Sequence, residues 1–323
     1  MKEALHPLKF QPILKPRIWG GEKLKTQFNK PSESNQVGES WEVSTVPGDI
    51  SVVENGALKG KTLQELLEAY TFDVLGQKNY ERFGNDFPLL IKFIDAKQDL
   101  SIQLHPDDAL AKERHNSFGK TEMWYVMQAD NDANLIVGFN QKMDRETYLK
   151  HLEAKTLTEI LNFDKVKEGD TYFIEAGRVH AIGAGVLLAE IQQTSDITYR
   201  VYDWDRVDAQ GNSRELHNDI AIDAFKFDME DDFRVDYQTQ KNSSNNMVSC
   251  PFFKTNYLEL DSEIKMLNDK DSFLIYMCVD GHVEVSTATT RDVISKGETI
   301  LIPAAIKHFS LKTNSAKLLE VYV

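Results

Sequence analysis

The sequence predicts a mostly-β protein made of two related β-domains, with helical insertions in the N-terminal part. Three observations carry that prediction. A segment occurs twice: Gly169-Asp-Thr-Tyr-Phe-Ile-Glu-Ala-Gly-Arg-Val-His180 is echoed by Gly297-Glu-Thr-Ile-Leu-Ile-Pro-Ala-Ala-Ile-Lys-His308. Glycine, an acid, Thr, Ile, Ala and His recur at the same offsets, the pattern of a turn, a buried strand, a second turn and a following strand. Copies so far apart cannot stack as a solenoid, so they mark two related domains. Short alternating or apolar runs, such as Phe273-Leu-Ile-Tyr-Met-Cys-Val279 and Val283-Glu-Val285, fill much of the remainder. Three stretches alone repeat apolar residues at helical spacing.

In chain order, the first helix is expected at about 60–70, where Thr62 caps the run Leu-Gln-Glu-Leu-Leu-Glu-Ala-Tyr70. The second covers 144–161, with a stripe of Tyr148, Leu149, Leu152, Leu157, Ile160 and Leu161, and the third covers 214–227. Such stripes face cores. The polar, turn-rich run Gln238-Thr-Gln-Lys-Asn-Ser-Ser-Asn-Asn246 is the expected boundary. It divides a domain of residues 1–240 from one of 241–323.

The chain has 323 residues and a formal net charge of −14. Nucleic-acid and anionic-membrane binders need basic surface, so both classes are disfavoured. A few cations inside a pocket still leave an anionic metabolite open. Cys250 and Cys278 form no CxxC and are too few for a disulfide framework, which fits a reducing, cytoplasmic setting. The N-terminal Met1-Lys-Glu-Ala-Leu-His-Pro lacks the apolar core of a signal peptide, and no run is long enough to span a membrane.

Chemistry concentrates in Ser101-Ile-Gln-Leu-His-Pro-Asp-Asp108. Strand alternation sends Ser101, Gln103 and His105 to one side, and Ile102 and Leu104 to the other. In Gly119-Lys-Thr-Glu-Met-Trp-Tyr-Val126 it aligns Lys120, Glu122 and Trp124. His180 ends the first copy of the echo. Two imidazoles, a carboxylate and an amide oxygen suit a borderline divalent cation, zinc first, with a position left for water or substrate. Singly, each residue has a plainer role: Gln103 and His105 as a polar strand face, His180 as a core histidine, Glu122 as an exposed strand residue. His6, His115, His151 and His217 lie in polar or helical surroundings and are expected at the surface.

Gln103-Leu-His105-Pro-Asp-Asp, Gly119-Lys-Thr-Glu122, Ala176 to His180-Ala-Ile-Gly-Ala-Gly185 and Asp196 to Arg200-Val-Tyr-Asp-Trp-Asp205 resemble the cupin-type (type I) mannose-6-phosphate isomerases, short bacterial form. Arg17-Ile-Trp-Gly-Gly21 and Gly38-Glu-Ser-Trp-Glu-Val-Ser44 match as well. The resemblance implies two jelly-roll β-barrel (cupin) domains and one Zn2+ per chain held by Gln103, His105, Glu122 and His180. It implies Arg200 as the active-site arginine and interconversion of mannose 6-phosphate and fructose 6-phosphate, and the oligomeric state stays open between monomer and homodimer. Two positions depart from the family pattern: Glu175 stands where proline is usual, and Ile182 where longer members carry tyrosine.

The residues also suit that chemistry directly. Moving a proton between C1 and C2 passes through an enediol, which a Lewis-acidic metal stabilises. A phosphate calls for an arginine fork. Alternation groups Thr198, Arg200 and Tyr202 on one face, and Glu190 with Gln192 on another. Arg200 is thus expected in the pocket, an ion pair with Asp203 or Asp205 being its alternative. Lys120 and Glu190 are the further substrate-binding candidates. The general base stays open among Glu190, Lys120 and metal-bound water. His308 has no Gln-x-His pair before it, so the second domain is expected to be degenerate and metal-free, buttressing the first or closing over it. A metal-dependent oxygenase and a non-catalytic sugar-phosphate sensor remain the rival functions.

Overall fold

Alternation of side chains along a strand gives each sheet two faces, one lining its barrel and one turned away from it. The computed structural model describes residues 3–207, 210–230 and 232–323. Its strands begin with β1 (Ile13–Gly21), β2 (Val37–Val43), a hairpin of β3 (Thr45–Val46) and β4 (Asp49–Ile50), β5 (Leu89–Asp95) and β6 (Ile102–Leu104). There follow β7 (Glu122–Ala129), β8 (Asn134–Phe139), β9 (Leu161–Lys165), β10 (Thr171–Ile174), β11 (His180–Ile182), β12 (Val186–Gln193) and β13 (Tyr199–Tyr202). A six-stranded sheet, β1-β2-β5-β12-β7-β10, faces a five-stranded one, β13-β6-β11-β8-β9. Together they form a cupin barrel. Trp19, Ile94, Val126, Leu135, Val137, Tyr172, Ile174 and Leu188 fill one part of its interior.

The second barrel uses β14 (Asn245–Ser249), β15 (Lys254–Leu260), β16 (Ile264–Leu267), β17 (Leu274–Ser286), β18 (Arg291–Ser295), β19 (Thr299–Ile302), β20 (His308–Lys312) and β21 (Ala316–Tyr322). The long β17 turns the corner. Its first half pairs with β19 and β21, and its second half with β18 and β20. Both copies of the echo are strand–turn–strand units, β10–β11 and β19–β20.

The second barrel packs on the outer face of the six-stranded sheet. Met123, Tyr125, Leu187, Ala189 and Ile191 share one core with Phe253, Tyr257, Ile275, Met277, Leu319 and Val321. Burying each large side chain stabilises by about 1.5–3 kcal/mol, so this seam makes the barrels one unit. The N-terminal segment crosses it: Leu8 and Leu301 exchange backbone hydrogen bonds of 2.8 and 2.9 Å.

The helical expectations fare unequally. Thr62 caps Leu63–Tyr70 with a complete capping box to Glu65. In 144–161 the helix is Arg145–Glu153, followed by a 3-10 turn, Leu157–Glu159, and then β9. The expected helix at 214–227 reduces to Asn218–Ala221. Its flanks form a strap in which Phe225 and Phe227 stack at 5.4 Å and both pack on Phe139 and Tyr148. Among the described residues no helix is long and apolar enough to cross a membrane.

Candidate active site

The site is assembled by strand register. Ile102 and Leu104 pack outward under the strap, so Gln103 and His105 turn into the barrel. His180 opens β11 opposite Gln103. Glu122 opens β7 opposite Ile174. His105, Glu122 and His180 are buried, and their donor atoms lie within 4.8 Å of one another. His180 Nε2 is 3.4 Å from Glu122 Oε1, and His105 Nε2 is 3.6 Å from Glu122 Oε2.

Each imidazole is oriented from behind. His105 Nδ1 donates to the Ile197 carbonyl and His180 Nδ1 to the Arg178 carbonyl, both at 2.8 Å. That tautomer leaves each Nε2 lone pair aimed at the shared space, as metal-ligating histidines require. Burial holds His105 well below the usual histidine range and His180 at about 3, so both rings are neutral. Burial pushes the Glu122 carboxyl up to about 7 despite Lys120 beside it. The Lys120 ammonium donates to His105 Nε2 at 2.9 Å and pairs with Glu122, so these donors already receive one cationic group. Among the described residues Glu122 Oε1 and His180 Nε2 have no hydrogen-bond partner. Buried polar atoms are rarely left so, and a divalent cation is what this donor set fits. Gln103, half-buried, lines the adjoining pocket.

A second polar group crosses the six-stranded sheet as a single rung, Trp41–Lys92–Glu190–Trp124. Lys92 pairs with Glu190 at 3.0 Å, and Trp124 Nε1 donates to Glu190 at 2.8 Å. Burial pushes Glu190 up, but Lys92, Lys120 and the indole N–H overcome it and hold the carboxyl at about 2. Glu39 accepts from Trp41 Nε1 at 2.6 Å and Arg17 Nε at 2.7 Å.

Arg200 stands opposite Gln103. It donates through Nε to Ser101 Oγ at 3.3 Å and through Nη1 to the Glu215 carbonyl at 2.8 Å. The ion pair weighed as its alternative does not form. Asp203 is taken by Arg206 at 2.6 Å and Arg214 at 2.5 Å, and Asp205 accepts from Tyr202 at 3.2 Å. Arg17, Lys92, Gln103, Lys120, Glu190, Arg200 and Arg214 line one cavity of about 430 Å³.

Three expectations need correcting. A bulge between Arg200 and Tyr202 breaks the alternation, and Tyr202 faces a different cavity, with Leu216. His6 is buried, 6% exposed. His217 belongs to the site's support, since its Nδ1 accepts from the Arg200 backbone N–H at 3.0 Å. Glu175, in the usual proline position, ties its turn to the strap through Lys226 at 2.8 Å.

Sequence reasoning missed Lys92 and Arg214. Lys92 did leave a signal, as one cation within the apolar run Leu89-Leu-Ile-Lys-Phe-Ile94.

The second barrel repeats the rung without the donors. Glu320 pairs in register with Asn256 and Tyr276, as Glu190 does with Lys92 and Trp124. It accepts from both at 2.8 Å. Leu274 opposes Ile302 as Glu122 opposes Ile174. His308 is exposed, while Phe309 and Leu311 turn into the barrel.

Residues 8–134 match the family described as phosphomannose isomerase type I, catalytic domain, and 243–323 the one described as mannose-6-phosphate isomerase, cupin domain. A mannose-6-phosphate isomerase of Streptococcus mutans is 35% identical over 93% of each chain. The Bacillus subtilis mannose-6-phosphate isomerase ManA is 36% identical over 95% of this chain and 96% of its own. A crystal structure of mannose 6-phosphate isomerase from Bacillus subtilis superposes with a TM-score of 0.89 at 32% identity, covering 99% of this chain and 100% of the other.

Proposed function

The chain belongs to the type I phosphomannose isomerases, aldose–ketose isomerases, and on that premise we propose a zinc-dependent interconversion of mannose 6-phosphate and fructose 6-phosphate through an enediol. The observation that carries the metal is the buried His105–Glu122–His180 group, with both Nε2 lone pairs turned toward the Glu122 carboxylate and with His180 Nε2 and Glu122 Oε1 left unpartnered among the described residues. Those three side chains and Gln103 would hold the ion, and zinc is the first choice for such nitrogen and oxygen donors. Bound there, it would supply Lewis-acid polarisation of the sugar's carbonyl oxygen.

The chain's own residues would do the rest. Arg200, whose guanidinium meets no carboxylate among the described residues, would hold the phosphate. Glu190 is ionised but weakly basic at about 2, so it fits a hydroxyl acceptor better than the proton carrier. Lys120, lining the cavity beside the metal donors, is the better placed group for passing a proton to a substrate oxygen. We read residues 1–240 as the catalytic unit and 241–323 as a metal-free buttress. The free thiols of Cys250 and Cys278 support a reducing, cytoplasmic setting.

A coupled assay on mannose 6-phosphate, with and without chelator, tests this alongside metal analysis. Turnover should vanish on chelation and return with zinc. Turnover indifferent to chelation would remove the metal. Binding without turnover would favour a sensor, and oxygen consumption an oxygenase. His308→Ala should keep kcat/KM within about twofold, since surface substitutions usually change little. A loss as large as that of a metal-donor variant would overturn the view of the second barrel.

A further inference from the structure

Three guanidinium groups, those of Arg200, Arg206 and Arg214, gather around one buried carboxylate, Asp203. The chain as a whole carries −14, so this excess of positive charge is local. The three arginines are used differently. Arg206 spends its N–H groups on protein, donating to the Asp99 carbonyl at 2.7 Å, the Asp203 carbonyl at 3.4 Å and Asp203 Oδ1 at 2.6 Å. Arg214 grips Asp203 as a fork, Nε to Oδ2 at 2.7 Å and Nη2 to Oδ1 at 2.5 Å. Its other Nη takes no part in that fork, and Arg214 lines the same cavity as Arg200. Ser101, which receives the Arg200 Nε, lies four residues from His105 along one extended segment. At about 3.3 Å per residue, Ser101 is roughly 7 Å along the strand from Gln103 and roughly 13 Å from His105.

We propose that Arg214 is a second phosphate-holding side chain, and that Asp203 is the positioning residue that aims it beside Arg200. The inference rests on the reading of a sugar phosphate in this cavity and deepens it. A phosphate dianion has the charge to balance two facing guanidinium groups and enough oxygens to accept from both. The bidentate pairing to Asp203 fixes the plane of Arg214 before substrate arrives, so little side-chain freedom remains to be lost on binding.

The test uses the full-length holoenzyme. Arg214→Gln should raise KM for mannose 6-phosphate by roughly 10- to 100-fold, the range expected for a lost charge-assisted contact, and leave kcat within about threefold. Competitive inhibition by inorganic phosphate should weaken by the same factor. Arg214→Lys should recover part of the loss, keeping the charge without the fork. Asp203→Asn should shift KM in the same direction while kcat is largely kept, with thermal melting used to select folded protein. Unchanged KM and unchanged phosphate inhibition in Arg214→Gln would overturn the proposal, as would a loss shared equally by kcat and KM. Calorimetric titration of wild type and Arg214→Gln with inorganic phosphate decides the point without turnover. Equal affinities refute it even if isomerisation is confirmed, and a weakened variant supports it even if the isomerase reading fails.

Discussion

His180→Ala is expected to abolish turnover and metal retention together. His180 is fully buried, its Nδ1 is committed to the Arg178 carbonyl, and its Nε2 has no partner among the described residues. A core histidine placed for packing alone would have no reason to turn an unsatisfied lone pair toward a carboxylate 3.4 Å away. Truncation removes one of two imidazole donors and the neighbour of Glu122 Oε1. Lewis-acid stabilisation is worth several kcal/mol, so kcat/KM should fall by about a thousandfold or more. Metal content by mass spectrometry should fall with it. Lys120 still pairs with Glu122 in the variant, so the carboxylate keeps a partner and the barrel should fold. Glu122→Gln provides the second arm, since it keeps the volume and removes the anionic donor. A metal-loaded, active His180→Ala enzyme would sink the proposed metal centre.

How far the sequence reveals this molecule depends on whether a feature is local. The helix after Thr62 is legible because its capping box lies within four residues. The segment 214–227 misleads because its apolar spacing has no such stop and start signals. Its backbone is instead claimed by Arg200, which exchanges hydrogen bonds with His217, and by the aromatic stack over Phe139. Phe225 and Phe227, two apart, already carried an extended rather than helical period. Leu149 belonged to the expected stripe but is 42% exposed, because the helix ends at Glu153 and Leu157 to Leu161 reach the core from a separate turn.

Within the site, strand alternation alone groups Gln103 with His105 and Glu122 with Trp124. It fails at Tyr202, where a bulge adds a residue that no local pattern announces. Asp203 binding Arg206 and Arg214 instead of Arg200 depends on a non-local return of the chain, marked by the bridge between Val207 and Ser213. The echo is a subtler case. It marks two strand–turn–strand units correctly, yet the histidine ending each copy points inward in one and outward in the other. What the duplication does retain is a rung without sequence likeness, Glu320–Tyr276–Asn256 against Glu190–Trp124–Lys92. Only register makes that correspondence visible.

Arg200→Ala should separate catalysis from stability more cleanly than any other substitution in the cavity. The guanidinium is half-buried and among the described residues meets no carboxylate, and its hydrogen bonds go to Ser101 Oγ and the Glu215 carbonyl. Each is worth about 1 kcal/mol net. Burial and the nearby charges of Arg214 and Arg206 push its pKa down, so truncation also relieves like-charge repulsion. Unlike the loss of Lys92, which would leave Glu190 buried without its 3.0 Å partner and cost about 3–5 kcal/mol, this change strands no charge. Stability should therefore move by no more than about 1–2 kcal/mol, read as a small shift in melting temperature. Activity should collapse, with kcat/KM for mannose 6-phosphate down by about a thousandfold or more, because the phosphate loses its fork and the sugar its register against the metal donors. Arg200→Lys should restore only part of that loss, since an ammonium supplies charge without bidentate geometry. If Arg200→Ala keeps activity within tenfold, the residue serves only to pin the strap through Glu215, and the phosphate must be held elsewhere along the cavity.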